Sequence, residues 1–470
     1  MDAQREIGMV GLGVMGRNFA LNLRDHGFPA AGYDTDAQKV EAWRAESGLG
    51  ELSGAANLGD WIRLLRKPRA VMMLVPAGAP VDSVIRGLLP LLEPGDLIID
   101  GGNSHFRDTE LRQKALAEKG LLYLGVGVSG GAGGARNGPS LMPGGPAEGY
   151  ERVRVLFEAV AARADGEPCT AYLGPGAAGH YVKMVHNGIE YGFLQLIAET
   201  YDLMKRGLGL GDKDLHEVYR DWNRGELNSY LLEITADIFR KIDPETGRPL
   251  VEEILDAARQ KGTGKWASED AMDLAVPTPV LDAAVMQRNL SSDLARRRAI
   301  RAALGGGPEK IPGRKDSILA DLRGALLAGL ILTYAQGFSL LQAASESYGY
   351  GLSLETVARI WSGGCIIRAA LLGRIRSALI GRPAPDHLLL DPGLGEEVGK
   401  RRDSLRRTVC AAAKAGIPVP GFAAALAYLD SYRSDRLPAS LIQAQRDYFG
   451  AHTYERIDEK GVFHTRWDAE

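Results

Sequence analysis

Lys183, His186, Asn187, Glu190 and Tyr191 recur at intervals of three and four within GAAGHYVKMVHNGIEYGFLQLIAET, residues 176–200. That spacing places them on one face of an α-helix. Val182, Met184, Val185, Ile189 and Leu194 take the other faces. A polar stripe on a helix otherwise suited to burial is costly unless it borders a polar cleft. Lys183 and Glu190 stand two turns apart, about 10.5 Å along the axis. A ligand lying between them meets a cation at one end and a carboxylate at the other. A plain solvated face is the alternative, but such faces carry more simple charge and lack the His-Asn and Glu-Tyr pairs.

Gly11, Gly13 and Gly16 form G-x-G-x-x-G directly after an apolar run and before an amphipathic one. In a strand–turn–helix context these glycines allow a tight turn and close approach of backbone to a pyrophosphate. The helix N-terminus, with its free N–H groups, faces the same charge. Val14 and Met15 complete the turn, and Val75, at the end of a later apolar run, and Asn103 are further candidate cofactor contacts. Asp34, followed by Thr35, ends the second apolar run. A carboxylate there accepts hydrogen bonds from ribose hydroxyls and opposes a 2′-phosphate, so the expected cofactor is NAD, with NADP the alternative. Thr35 and Asp36 supply no cation, and Lys39 compensates only in part.

These groups need two kinds of scaffold. Ile7–Val10, Ala30–Tyr33, Ala70–Val75, Asp96–Asp100 and Leu121–Val128 are strand candidates alternating with helical stretches. That pattern reads as a parallel sheet covered by helices, a Rossmann-type α/β domain over residues 1–178. Long helical periodicities dominate residues 179–435, an all-α domain. Residues 436–470 read as a polar, irregular tail containing QAQRDYFGAHTY. Within the helical part, LHEVYRDWNRG (215–225) aligns with LETVARIWSGG (354–364), each preceded by a Gly-Phe pair, Gly192-Phe193 and Gly337-Phe338. An internal duplication follows from that alignment. Gly324–Ser345 carries no charged residue and is long enough to cross a bilayer. Its Thr333, Gln336, Ser339 and Gln342 favour a buried core helix instead.

Composition narrows the function classes. The 470 residues are 45% hydrophobic and 24% charged with a net charge of −3, which offers no electrostatic footprint for nucleic acid or membrane. The 59 glycines exceed ordinary usage and fit many tight turns and close ligand approaches. Cys169, Cys365 and Cys410 form no CxxC pair and no metal-ligand spacing, which fits a reducing compartment and no metal. The N-terminus shows no secretory pattern, so a cytoplasmic protein is expected.

KMVHNGIEYG, DGGNS (100–104) and VSGGAGGARNGPSLMPGG (128–145) together resemble the decarboxylating 6-phosphogluconate dehydrogenases. So do QKGTGKW (260–266), RNLSS (288–292), YAQGF (334–338), GGCIIR (363–368) and QAQRDYFGAHTYER (443–456). The resemblance runs in order along essentially the whole chain. It implies oxidative decarboxylation of 6-phosphogluconate to ribulose 5-phosphate and CO2, a step of the pentose phosphate pathway. It implies that Lys183 is the general base and Glu190 the general acid. Asn103, Ser129, Gly130, Gly131, His186 and Asn187 match substrate positions near the carboxylate and hydroxyls. Tyr191, Lys261, Thr263 and Arg288 match phosphate positions. Arg446 and His452 match positions that the tail of one subunit supplies to the other in a homodimer. Two departures stand out. Many NADP-using relatives carry Asn-Arg-Thr at 34–36 and a lysine at Pro76, and Phe193 stands where relatives often have a polar residue. A dehydrogenase for a small unphosphorylated hydroxy acid would share the glycine motif and the Lys183 region. It would need neither Arg288, Arg446 and His452 nor the duplicated helical part.

Overall fold

The computed structural model describes residues 4–48, 54–380 and 385–468. The apolar runs of the first third form β1 (Gly8–Val10), β2 (Ala31–Tyr33), β3 (Ala70–Met73), β4 (Leu97–Asp100), β5 (Leu122–Ser129) and β6 (Ser140–Gly144). They lie in the order β2-β1-β3-β4-β5-β6, and the first five are parallel. Both faces of these strands are buried, which is why they read as continuous apolar runs rather than as alternation. β6 lies outside the strand candidates read from the sequence, and it is not parallel. It pairs antiparallel to β5, Gly125 facing Gly144 and Ser129 facing Ser140. The ten-residue connection holds only the short Gly131–Asn137 helix, shorter than a parallel crossover requires.

β5 and β6 carry the helix Ala178–Asp202 against one end of the sheet. Glycines make the approach possible: a Cβ on Gly127 would lie 2.4 Å from Lys183 Cβ, and one on Gly144 2.2 Å from the Gly179 nitrogen. That helix also enters the helical core, where it crosses Lys315–Tyr348. The crossing is reciprocal. A Cβ on Gly192 would meet Thr333 at 2.7 Å, and one on Gly337 would meet Ile189 at 2.4 Å. The two Gly-Phe pairs thus mark the contact of the two longest helices. Phe193 is accounted for here: it is buried edge-on against Tyr334, ring centroids 4.8 Å apart. The charge-free stretch is indeed a core helix, with 67% of its most apolar window buried.

The duplication has a structural counterpart. Each long helix leads into a shorter one, Asp212–Trp222 and Leu354–Trp361, which buries its tryptophan. Each unit then continues into Tyr230–Ile238 or Ala370–Ile380. Ser229 and Ala369, just before these last helices, pair through an antiparallel bridge, with Tyr230 N–H donating to Arg368 O and Ala370 N–H to Asn228 O. The tail is less irregular than its sequence reads. Ala439–Gly450 is a helix, followed by a bridge between Tyr454 and Phe463. Its Leu441, Ile442, Tyr448 and Phe449 are exposed, so no intrachain core reveals the helix as a buried stripe.

Candidate active site

The glycine turn follows β1, and its three glycines have separate duties. Gly11 has φ +92°, open to glycine at little cost. A Cβ on Gly16 would sit 1.9 Å from the Gly11 carbonyl oxygen, so only glycine lets the helix Val14–Asp25 start so close to the strand. Gly13 has nothing within 4 Å of a would-be Cβ and no side-chain cap on its helix. The open face of Gly13 and the uncapped N–H groups behind it fit a dinucleotide pyrophosphate. Asp34 ends β2 beside this turn. Its Oδ2 accepts the Leu12 N–H at 2.8 Å and its Oδ1 accepts the Asp36 N–H at 2.9 Å. Lys39 Nζ lies 3.7 Å from Asp34 and 3.8 Å from Asp36. Thr35 borders this group, Val75 packs within 3.0 Å of where a Gly11 Cβ would be, and Asn103 is exposed at the end of β4.

The loop that presents Asn103 is held by a residue that sequence reading passed over. The Asp100 side chain is fully buried and accepts from Gly102 N–H, Ser104 Oγ and Tyr123 Oη, with Arg112 Nη1 3.7 Å away. His180 reaches the Asp100 carbonyl through Nε2 at 3.1 Å and Thr109 Oγ1 through Nδ1 at 2.6 Å. A sequence trace of this hub is the carboxylate that closes the apolar run DLIID and opens the DGGNS motif.

The stripe is buried rather than solvated. Lys183, His186, Asn187 and Tyr191 are all buried, and Glu190 is nearly so. His186 has no exposed surface. Its Nε2 lies 3.2 Å from Ser129 Oγ, and its Nδ1 lies 3.1 Å from Asn187 Oδ1 and 3.4 Å from Lys183 Nζ. It links the end of β5 to the helix. Burial, reinforced by Lys183, holds His186 well below its usual value and keeps the ring neutral. Burial also pushes the Lys183 ammonium below the usual lysine range, although Glu190 opposes the shift. Burial raises Glu190, against the pull of Lys183 and Arg288. The helix therefore holds a base weakened in charge and an acid strengthened in proton retention.

Gly130 and Gly131 have φ of +111° and +61°, and a Cβ on Gly130 would lie 2.5 Å from the Gly364 carbonyl oxygen. The GGCIIR loop thereby backs the β5 turn. Its Cys365 thiol, near Lys183, is pushed up to about 12 by burial and stays neutral. At the other end of the stripe, the Arg288 guanidinium stacks over the Tyr191 ring at 3.4 Å. A Cβ on Gly264 would meet that ring at 2.4 Å, bringing Lys261 and the buried Thr263 to the same place. Arg446 and His452 do not join them. Arg446 bonds to Gln443 and His452 packs on Phe449, both within the exposed tail.

The family profile described as the NAD binding domain of 6-phosphogluconate dehydrogenase matches residues 6–174, and that of the 6-phosphogluconate dehydrogenase C-terminal domain matches residues 179–467. A protein of Synechococcus elongatus named 6-phosphogluconate dehydrogenase, decarboxylating, is 52% identical, covering 99% of this chain and 100% of its own. The NADP(+)-dependent, decarboxylating 6-phosphogluconate dehydrogenase of Bacillus subtilis is 49% identical, covering 99% of each. The Plasmodium falciparum 6-phosphogluconate dehydrogenase, described apo and in complexes with NADP+ and with 6-phosphogluconate, superposes with a TM-score of 0.94 at 42% identity, covering 98% of this chain and 100% of that one. Motifs, site geometry and full-length similarity converge, and the chain belongs to the family of decarboxylating 6-phosphogluconate dehydrogenases.

Proposed function

We propose that this protein oxidises and decarboxylates 6-phosphogluconate to ribulose 5-phosphate and CO2. The observation that carries the reading is the buried stripe: a lysine whose ammonium is disfavoured and a glutamate whose proton is retained, two turns apart on one helix. A bound nicotinamide dinucleotide supplies the hydride acceptor. Neutral Lys183 takes the C3 hydroxyl proton as that carbon is oxidised to the ketone. The resulting β-keto acid loses CO2, and the Lys183 ammonium donates to the enolate oxygen that forms. Glu190 then delivers a proton to C1. Asn103, Ser129, Gly130, Gly131, His186 and Asn187 surround the carboxylate and hydroxyls. Tyr191, Lys261, Thr263 and Arg288 receive the phosphate, for which arginine offers paired charge-assisted donors. Arg446 and His452 come from the tail of a second copy in a homodimer. Loss of CO2 adds a carbon-releasing step to sugar-acid breakdown, as in the pentose phosphate pathway of a cytoplasm.

The favoured cofactor is NAD. A relative named NADP(+)-dependent and one described in complex with NADP+ stand against this at the level of the family. The local charge supports it: Asp34, Asp36 and Lys39 sum to one net negative charge where a 2′-phosphate would lie. Pro76 supplies no cation. Like-charge juxtaposition costs several kcal/mol, which corresponds to a preference on the order of 100-fold. Initial rates with 6-phosphogluconate and each cofactor, with CO2 captured, test both levels. CO2 release with a higher kcat/KM for NAD is expected. A preference for NADP would overturn the cofactor reading alone. No turnover with either would overturn the substrate and favour a hydroxy acid lacking phosphate.

A further inference from the structure

The tail holds a built network that the reaction scheme leaves unused. Asp447, on the helix Ala439–Gly450, has no exposed surface although its neighbours Arg446 and Tyr448 are exposed. Its Oδ1 accepts the Thr453 N–H at 2.9 Å and lies 2.9 Å from His464 Nδ1. Its Oδ2 accepts the Thr465 N–H at 3.0 Å and the Trp467 Nε1–H at 2.8 Å. Gln443 Nε2 closes the same loop by donating to Thr453 O at 2.6 Å. Inside the loop, Ala451 and Thr453 have φ of +49° and +62°. A β-branched residue in that region is a genuine outlier, held only where surrounding bonds over-determine it. His452 sits between these two residues. Its ring lies where a Cβ on Gly450 would be, 2.6 Å from Cδ2 and Nε2. Burial would raise the Asp447 carboxyl, but the donors from Thr465, His464, Trp467 and Thr453 hold it well below the usual carboxylate range.

We infer that Asp447 and Gly450 are positioning residues that fix the backbone turn and ring placement of His452, beside Arg446, for delivery into the substrate site of a second copy. This rests on the proposal that the tail serves a partner's site. The network ties both sides of the turn to one carboxylate, so Arg446 and His452 reach the partner as a preset pair rather than as a flexible end.

The experiment measures KM and kcat for 6-phosphogluconate in the full-length dimer. Asp447→Asn turns an amide N–H₂ toward donors, and Gly450→Ala displaces the His452 ring while favouring the helix. Each is expected to raise KM for 6-phosphogluconate about 10-fold or more, with KM for the dinucleotide and sedimentation as a dimer unchanged. In an Arg446→Ala/His452→Ala background, neither should raise KM further by more than about 2-fold, because neighbours acting through one group are not additive. Equal effects in both backgrounds would overturn the inference. So would an unchanged KM in Gly450→Ala, which holds even if Asp447→Asn fails to fold. If Arg446→Ala/His452→Ala itself left KM unchanged, the proposal that the tail serves the substrate site would fall, and this inference with it. If that variant raised KM while Asp447→Asn and Gly450→Ala did not, only this inference would fall.

Discussion

At the residue scale, the pairing of Lys183 with Glu190 depends on burial rather than on residue type. Both ordinary charge states are disfavoured by loss of water, and their mutual attraction opposes the two shifts. Lys183→Arg keeps a cation in place but cannot release its proton. It is expected to lower kcat by about 10²–10⁴-fold while leaving dinucleotide affinity, read by fluorescence titration, unchanged. Retained turnover would remove Lys183 as the base. Asp34→Asn deletes one of the two carboxylates near Lys39 and keeps an oxygen for the Leu12 N–H. The ratio of kcat/KM for NADP to that for NAD should rise at least about 10-fold, one pairwise repulsion of roughly 1.4 kcal/mol. A ratio that stays constant would place cofactor choice elsewhere. The stripe and the glycine turn were legible because their residue types repeat at a helical or motif spacing. The Asp100 hub was not, since Arg112, Tyr123 and His180 reach it only through the fold.

At the element scale, the Ala178–Asp202 helix has a second polar device far from the stripe. Glu199 is buried and caps the helix Pro420–Tyr432, accepting Gly421 N–H at 2.7 Å and Phe422 N–H at 2.9 Å. Burial pushes its carboxyl up to about 7 despite these donors. The folded state therefore holds this proton more tightly than the unfolded chain, whose glutamates titrate near ~4.3. The stabilisation is complete below that value and is lost as pH rises through about 7. Urea midpoints should fall between pH 5 and pH 7.5, and Glu199→Gln should flatten that part of the dependence. An unaltered slope would assign it to another group. The helix crossing makes a separate prediction. Gly337→Ala gains about 1 kcal/mol of helix propensity but meets Ile189, itself wholly buried, at 2.4 Å. Overpacking of about 1–3 kcal/mol should leave the variant less stable in urea; a more stable variant would show that the crossing can yield. The Gly-Phe repeat announced two related units in the sequence, but their meeting at reciprocal glycines is a tertiary fact. The reversal of β6 likewise lay in the length of a connection rather than in strand composition.

At the scale of the whole molecule, one chain does not gather all of its expected substrate contacts. The sheet edge, the central helix and the segments at 261–264 and 288 converge, whereas Arg446 and His452 stay on an exposed tail with an uncovered apolar side. Removal of residues 436–470 should raise KM for 6-phosphogluconate and weaken self-association, both read on one sample by kinetics and sedimentation velocity. An unchanged KM in the truncated chain would sever the tail from the site. The tail's motif was readable, but its helix was not. Leu441, Ile442, Tyr448 and Phe449 stay exposed on the chain, so the usual sign of a helix, one face hidden, is missing.

The Ala178–Asp202 helix has one further consequence. Because the proposed proton acceptor and donor share a rigid helix pinned by glycines on both sides, the helix is a ruler with indivisible marks. Adding one residue between 183 and 190 would not lengthen the reach by a small step. It would swing Glu190 about 100° around the axis, out of the cleft and toward packed side chains. The separation between the two proton-transfer points can change only by whole turns. Substrates of intermediate chain length are therefore beyond gradual adjustment, and variation must come from the loops and the tail around the ruler.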